Sequence, residues 1–197
     1  MFSVQDHLAK IISVTNVSEK HGKERVAAIS IGLHLVGGGE LLEQFDSGLR
    51  SMLYRKPQPT PGELPMEHDN AYTELRFPFM RNLEWDRNYE GYVLRFHIGA
   101  SGAEDVLLAE CGLKDIRFTT QEGGSVGVHF KVKAHPKDEA DHGKIATRLQ
   151  QEMIITLTPP DRYAEPGLFG DAPGNDDEGR DPFEGSDLAE DDSRVEA

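Results

Sequence analysis

The stretch Glu24 to Val36, ERVAAISIGLHLV, shows most clearly the pattern that recurs along this chain. Large apolar residues alternate in it with polar or small ones, which is the period of a half-buried β-strand. The set on one face is Ala27, Ile29, Ile31, Leu33 and Leu35. Leu8 to Val17 alternates similarly, and the polar residues 18–23 between the two stretches include a glycine that suits a hairpin turn. The sequence therefore predicts an antiparallel strand pair here.

The same alternation recurs along the chain and predicts a mainly β protein. The further predicted strands are Tyr72–Met80, Gly91–Ile98, Asp105–Ala109, Asp115–Thr120, Val126–Ala134 and the second half of Lys144–Thr158. In the first of these, Leu75, Phe77 and Phe79 would share the inward face. The last segment is ambiguous, because its apolar residues also recur at the four-residue spacing of a helix.

One helix is predicted from Glu40 to Tyr54, where the leucines follow helical spacing, although Gly48 weakens its middle and allows a split into two turns. The triplet Gly37–Gly39 would end the strand before it, and four prolines make residues 55–70 an irregular surface loop. About seven antiparallel strands with one helix fit an OB-like barrel or a sandwich.

The negative charge is concentrated near the C-terminal end. The chain has 21 Lys plus Arg and 35 Asp plus Glu, a net charge of −14. Residues 161–197 hold 13 of the acids and three arginines, so they contribute −10 and leave −4 for residues 1–160. Because this segment lacks apolar periodicity, the sequence predicts a β-rich body over residues 1–160 and a disordered acidic tail over 161–197.

Several protein classes are excluded by composition. The most apolar stretch, Val26–Val36, is shorter than the roughly 18 residues of a membrane span. The first residues lack the basic start and apolar run of a secretory signal, so a cytoplasmic protein is expected. Cys111 is the only cysteine, which excludes an internal disulfide and a multi-thiolate zinc site and favours a small core residue.

No motif names a reaction, and we predict a protein that is not an enzyme and needs no cofactor. Gly37–Gly39 lacks the Lys-Ser/Thr pair that completes a phosphate-binding P-loop. The connection after Ala134 does contain metal-ligand residue types, namely His135, Asp138, Asp141 and His142. Their spacing matches no known site and Lys137 lies among them, so a small metal-dependent enzyme is kept only as an alternative.

Basic side chains occupy positions that alternate with apolar residues in the predicted strands. They are Arg76, Arg95 with His97, Arg117, His129 with Lys131 and Lys133, and Arg148. If neighbouring strands align, these residues would form a locally basic face able to follow a phosphate backbone. The alternative interpretation is that outward strand positions simply favour charged residues.

The stretch from Arg81 to Tyr89 is predicted to be a loop that interleaves aromatic residues with arginines. Trp85 and Tyr89, with Arg87 between them, are predicted to contact bases by stacking. Alternatively, Trp85 caps the core between two strands. The stretch Tyr54–Lys56 is a second, weaker group of the same kind.

A β-rich body with basic residues on its strands, followed by an acidic tail containing Asp181-Pro182-Phe183, resembles the organisation of single-stranded DNA-binding proteins, particularly phage-encoded ones with OB-type barrels. The resemblance spans the whole chain but lies in organisation and not in a motif. The end of this tail, Arg194–Ala197, departs from the acidic run with a terminal aromatic found in such families.

This resemblance implies single-stranded DNA binding in replication or recombination, in the cytoplasm of a bacterial host. The tail would regulate access to the DNA or recruit replication or recombination proteins, with Phe169 and Phe183 as docking residues. The other class is a structural or adaptor protein, such as a virion or assembly component. Membrane partners are not expected, and a homo-oligomer is compatible with either class.

Overall fold

The computed structural model describes residues 1–21, 24–57, 72–80, 82–99, 101–137 and 139–160, all within one unit, Met1–Tyr163. The strands are β1 (Val4–His21), β2 (Glu24–Gly38), β3 (Tyr54–Arg55), β4 (Glu74–Leu75), β5 (Asn82–Trp85), β6 (Tyr89–Phe96), β7 (Val106–Thr120), β8 (Ser125–Ala134) and β9 (Glu152–Thr158). The helices are α1 (Glu40–Glu43), α2 (Leu49–Leu53) and α3 (Glu139–Ala146), and a 3-10 turn covers Glu122–Gly124. The mainly β class is confirmed. Most of the predicted proline loop, Asp138, and the predicted tail with Phe169 and Phe183 lie outside the described residues.

Seven strands form one antiparallel sheet in the order β5-β7-β6-β9-β1-β2-β8. The long strand β7 pairs with β6 and β5 along one edge and with β8 along the other. Six strands therefore form a closed ring of hydrogen bonds, to which β5 adds on β7. The OB-fold is a five-stranded barrel, so this ring differs from it in strand number. Strands β3 and β4 form a separate small sheet.

Apolar side chains at alternate strand positions fill the ring. The predicted inward residues of β2 from Ile29 to Leu35 are buried, as are those of β6 and β8. Ala27 was wrongly predicted to be inward, and it is exposed. The reason is that β8 pairs with β2 only from Ile29 onward, so the end of the β1–β2 hairpin extends beyond its neighbours. Cys111 is buried as predicted, and burial raises the pKa of its thiol to about 12.

The prediction of one helix from Glu40 to Tyr54 is wrong, because the chain forms α1 and α2 with a bend between them. The carboxylate of Asp46 accepts a hydrogen bond from the Gly48 backbone N–H at 2.8 Å within this bend. The bend turns buried leucines of both short helices toward the core. The preceding glycines do not end β2 early either, since the strand continues to Gly38.

The predicted strand Tyr72–Met80 is also wrong except for Glu74 and Leu75. Pro78 has no backbone N–H to donate to a sheet. The chain turns instead, and the Met80 N–H donates to the Phe77 carbonyl oxygen at 3.0 Å. Two phenylalanines that were predicted to be inward are consequently on the surface: Phe79 is fully exposed and Phe77 is 44% exposed.

Two elements, β5 and α3, were not predicted. Strand β5 lies inside the predicted loop Arg81–Tyr89, where alternate side chains Leu83 and Trp85 pack partly buried against the core. Helix α3 covers part of the predicted polar connection before Gly143, and it buries a single residue, Ile145. The strand predicted for the second half of Lys144–Thr158 is confirmed as β9. Within the described part of the chain, no helix has the length and apolar character needed to cross a membrane.

Replacing Gly124 by alanine is expected to destabilise the fold more than replacing Gly123. Both glycines have positive φ angles, 80° and 79°, so alanine at either position costs about 1 kcal/mol of backbone strain. A Cβ on Gly124 would also meet the carbonyl oxygen of Tyr72 and lie 3.2 Å from the Thr73 Cα, whereas one on Gly123 would meet nothing. This overpacking adds about 1–3 kcal/mol. Urea unfolding of both variants tests the difference, and equal midpoints would contradict it.

Candidate nucleic-acid interface

The basic residues predicted for one sheet face are spread around the ring. Arg117, Lys131 and Lys133 lie on the adjacent strands β7 and β8. Arg95 pairs in register with Leu107, so Arg117 lies ten residues further along β7, about 34 Å at the usual rise of a strand. The remaining two arginines are not on strands: Arg76 follows β4, and Arg148 lies in the turn after α3. The hypothesis of a single basic sheet face is therefore not supported.

Three of these basic side chains form ion pairs with carboxylates. Arg95 Nε donates to Asp105 Oδ2 at 2.8 Å. Arg117 pairs with Glu84 at 2.9 Å, and Lys131 pairs with Asp115 at 2.7 Å. The last contact is the main cause that lowers the pKa of the Asp115 carboxyl. Exposed pairs contribute only about 0–1 kcal/mol, so a phosphate can compete for these cations, but their positive field is locally compensated.

His97, which follows β6, lies in a polar network with residues of β9 and β1 and with Asp105, which precedes β7. Its Nε2 is 2.9 Å from the hydroxyl of Thr156 and 3.2 Å from Asp6 Oδ1. On the other side its Nδ1 is 3.6 Å from Asp105 Oδ2. The Asp105 carboxyl has a lowered pKa, first because it accepts a hydrogen bond from the Ile98 N–H and also because it accepts one from Arg95. His97 is thus surrounded by acidic partners and does not belong to a basic face.

Trp85 and Tyr89 are packed into the body. Tyr89 is only 7% exposed, and its hydroxyl accepts a hydrogen bond from Trp85 Nε1 at 3.0 Å. The Trp85 ring lies 6.0 Å from that of Phe45 and 6.1 Å from that of Phe118. Arg87 lies over the Tyr89 ring at 5.3 Å. The structure matches the alternative interpretation, in which Trp85 caps the core, and does not support base stacking on either ring.

In the second predicted group, Tyr54–Lys56, the aromatic residue is also packed into the body, and only the two basic residues are exposed. Tyr54 is fully buried, and its hydroxyl donates to the Ser125 carbonyl oxygen and accepts from the Gln121 N–H at 3.2 Å. Burial raises the pKa of this tyrosine. Its ring therefore anchors the β7–β8 turn, while Arg55 and Lys56 are on the surface.

The exposed aromatic residues belong to a segment that we call the Arg76–Met80 turn, Arg-Phe-Pro-Phe-Met. The turn is fixed at both ends: the Arg76 N–H donates to the Leu53 carbonyl oxygen at 2.9 Å, and the Thr120 hydroxyl donates to the Met80 carbonyl oxygen at 3.1 Å. Among the described residues, no ion pair involves Arg76. The turn therefore holds two phenyl rings and a guanidinium out from the body. Pro78 between two phenylalanines was the sequence signal for this arrangement.

Positive charge is concentrated next to this turn. Residues 49–57 and 72–80 together contain four basic residues and one acidic residue, a net charge of +3, whereas the whole chain carries −14. Arg50 and Lys56 both lie over the ring of Tyr72, at 5.6 and 5.9 Å from its centre. Arg55 pairs with Glu74 at 2.9 Å, and Arg50 pairs with Glu43, which lies outside these segments, at 3.1 Å. We call these two segments together the basic aromatic surface.

The residues considered for a metal site do not come together. His142 Nε2 lies 2.7 Å from the amide oxygen of Asn16, and Asp141 accepts a hydrogen bond from Lys144 at 3.4 Å. Asp138 is outside the described residues. Over the part of the chain that the structure describes, no group of three or more His, Cys, Asp or Glu side chains is arranged to hold a metal ion.

Comparison with known proteins adds no further assignment. No protein-family model, curated protein or solved structure matches this chain. The function has to be inferred from the basic aromatic surface and the strand faces.

Proposed function

We propose that this protein binds single-stranded DNA, without catalysis, through the basic aromatic surface. One observation carries the proposal: Phe79 is fully exposed and Phe77 is 44% exposed, in a turn that also presents Arg76. Single exposed apolar residues are common, but adjacent ones such as Phe77, Phe79 and Met80 form an apolar patch of the kind that marks interaction sites. The two segments carry a net charge of +3, or +2 when the Glu43 carboxylate that pairs with Arg50 is counted, which indicates a partner that is both negative and able to contact a ring.

Single-stranded nucleic acid combines these two properties. Each base presents a flat face that stacks on an aromatic side chain, and this stacking contributes about 1–3 kcal/mol per base with little dependence on sequence. Duplex bases already stack on one another, so their faces are not accessible to Phe77 and Phe79. The cations at Arg50, Arg55, Lys56 and Arg76 would neutralise phosphates and release counterions.

The acidic residues 161–197 fit this function as a regulator. Their net charge of −10 makes them an internal polyanion that would compete with DNA for the basic aromatic surface. We propose that the same residues recruit replication or recombination proteins, with Phe169 and Phe183 as the docking side chains.

The salt dependence of DNA binding tests the proposal. Anisotropy of a fluorescein-labelled oligothymidylate, titrated with the full chain at several salt concentrations, is expected to give a log–log slope of about −2 to −3 if the four cations contact phosphates. Arg76→Ala is expected to reduce the magnitude of that slope by about 0.7. The control is Lys144→Ala, which removes one positive charge at α3 and should leave the slope unchanged. Salt-insensitive anisotropy, or equal slopes for both variants, would refute the proposal.

An adaptor role is the second candidate, and a different surface favours it. Leu8 and Ile154 are register neighbours on β1 and β9, and each is about half exposed. Val36, on the neighbouring strand β2, is also exposed, which gives a short apolar row on the outside of the ring. Light scattering that shows a large, stable oligomer without any affinity for DNA would support this second role.

A further inference from the structure

A row of outward side chains crosses six neighbouring strands of the sheet. Each member is the register partner of the next, in the order Glu84, Arg117, His129, His34, Lys10 and Glu152. Neighbouring strands are about 4.8 Å apart, so consecutive side chains of the row are within reach of one another. The two histidines are at its centre, on β8 and β2.

The charges in this row are arranged symmetrically. A carboxylate lies at each end, a cation lies inside each carboxylate, and the two imidazoles lie between the cations. With both imidazoles neutral the row has no net charge, and with both protonated its net charge is +2. The nearest row neighbours of the histidine pair are Arg117 and Lys10, which are both positive. An anion at the centre would therefore meet positive or donor groups on both sides.

The space for a small anion lies beside the histidine pair. Over Gly127 the space is taken by the His34 ring, whose Nε2 would lie 2.9 Å from a Cβ placed on this glycine. Beside His129 the surface forms a shallow pocket of about 550 Å³, lined by Asn82, Glu84, Arg117, Thr119 and His129. In this pocket the Thr119 hydroxyl donates to Asn82 Oδ1 at 3.2 Å, which leaves the Asn82 amide nitrogen as the neutral donor.

We propose that His34, His129 and Arg117 form a phosphate-binding subsite, in which both imidazoles and the guanidinium donate hydrogen bonds to one phosphate group. The pocket shares Thr119 with a second one that includes Leu75, the residue before the Arg76–Met80 turn. The role of the subsite as a contact for the DNA backbone rests on the proposed function. Its affinity for a phosphate group is independent of that function.

Binding at this subsite depends on the charge of its imidazoles. The charged side chains that face the pair from its own and neighbouring strands are Glu84, Arg117, Asp115, Lys131, Lys10 and Glu152. Burial, followed by the proximity of His34, Arg117 and Lys131, lowers the pKa of His129 and so disfavours its protonated form in the free protein. A bound anion favours the protonated form and raises the pKa. Affinity for the anion therefore increases as the pH falls.

The test uses diethyl phosphate, a diester whose single charge does not change near neutral pH, and the full-length chain. NMR of the imidazole nitrogens is expected to show a higher pKa for His129 with the diester than with chloride at the same ionic strength, and a change in the His34 nitrogen resonances on addition of the diester. The affinity for diethyl phosphate should rise about tenfold from about pH 8 to about pH 6, because the subsite takes up one proton on its imidazoles over part of that range. His142, which contacts Asn16 beside α3, is the internal control and should not change.

Two variants separate binding from folding. Arg117→Gln should reduce the diester effect on both imidazoles, and the double variant His34→Gln, His129→Gln should remove the pH dependence while keeping amide donors in place. Imidazole titrations that are identical in diester and in chloride would overturn the subsite. If the imidazoles respond to the diester but the oligonucleotide does not bind, the subsite stands and the DNA-binding proposal fails. If the oligonucleotide binds but the imidazoles do not respond to the diester, only the subsite is refuted.

Discussion

Replacing Phe79 by alanine is expected to weaken binding of a labelled oligothymidylate by about 5- to 150-fold, the equivalent of 1–3 kcal/mol of base stacking. The reason is that Phe79 is fully exposed at the tip of the Arg76–Met80 turn, where both faces of its ring are open to a base. Phe77→Ala should have a smaller effect, because only 44% of that residue is exposed.

The fold should tolerate the Phe79 substitution, since an exposed side chain without packing partners changes stability by no more than about 0.5 kcal/mol. Fluorescence anisotropy measures the affinity, and urea unfolding confirms that the variant is folded. Leu149→Ala is the matched control, because Leu149 is a large apolar residue that is 45% exposed in the turn after α3. Phe79→Trp should restore binding, since tryptophan also stacks. Equal affinities for Phe79→Ala and Leu149→Ala would contradict the stacking role.

Replacing Phe118 by alanine is expected to lower the free energy of unfolding by about 3–5 kcal/mol. Phe118 is 1% exposed on β7, and its ring lies 4.8 Å from that of Phe45 and 6.1 Å from that of Trp85. It therefore connects the ring of strands with the segment after α1 and with β5. Because domains of this size are stable by about 5–15 kcal/mol, such a loss is a large share of the total.

Urea unfolding followed by the emission of Trp85, the only tryptophan, measures this loss directly. The matched control is Phe79→Ala, which removes the same side chain from an exposed position of the same fold. Phe118→Ala should be less stable than Phe79→Ala by several kcal/mol. Phe79→Ala should in turn bind DNA more weakly than Phe118→Ala. Similar unfolding midpoints would mean that the cavity left by Phe118 closes or that the ring is not part of the core.

Strands β6 and β8 were predicted well. From Tyr92 to Phe96 and from Val126 to Ala134 every second residue is apolar and buried, so the alternation directly reports the inward face. Strand β7 was wrongly predicted as two strands, Asp105–Ala109 and Asp115–Thr120, because the alternation is interrupted between them. The same pattern misled at Tyr72–Met80, because Phe77 and Phe79 alternate as an inward pair would, but Pro78 turns the chain away from the sheet. Alternation indicates a strand only where a neighbouring strand is present to pair with it.

The candidate site was only partly predictable. Arg76 was correctly predicted to be an exposed cation. It was wrongly placed on a strand, and its neighbours Phe77 and Phe79 were not predicted to be exposed with it. Arg117 and Lys131 were selected as outward cations, but the carboxylates that pair with them, Glu84 and Asp115, come from other strands. Trp85 was selected for stacking because aromatic residues near arginines favour nucleic acid, yet it packs on Phe45, forty residues away in the chain.

Local features of the sequence were sufficient for the β class, for the β1–β2 and β7–β8 hairpins and for the buried cysteine, because alternation, turn residues and composition act over a few neighbouring positions. The burial of Trp85 and the partners of Arg117 and Lys131 followed from the order of the strands, in which β7 pairs with β8 on one edge and with β5 and β6 on the other. The same order places β2 next to β8 and so sets His34 beside His129. Contacts between residues so far apart in the chain depend on strand order, which no short stretch of sequence records.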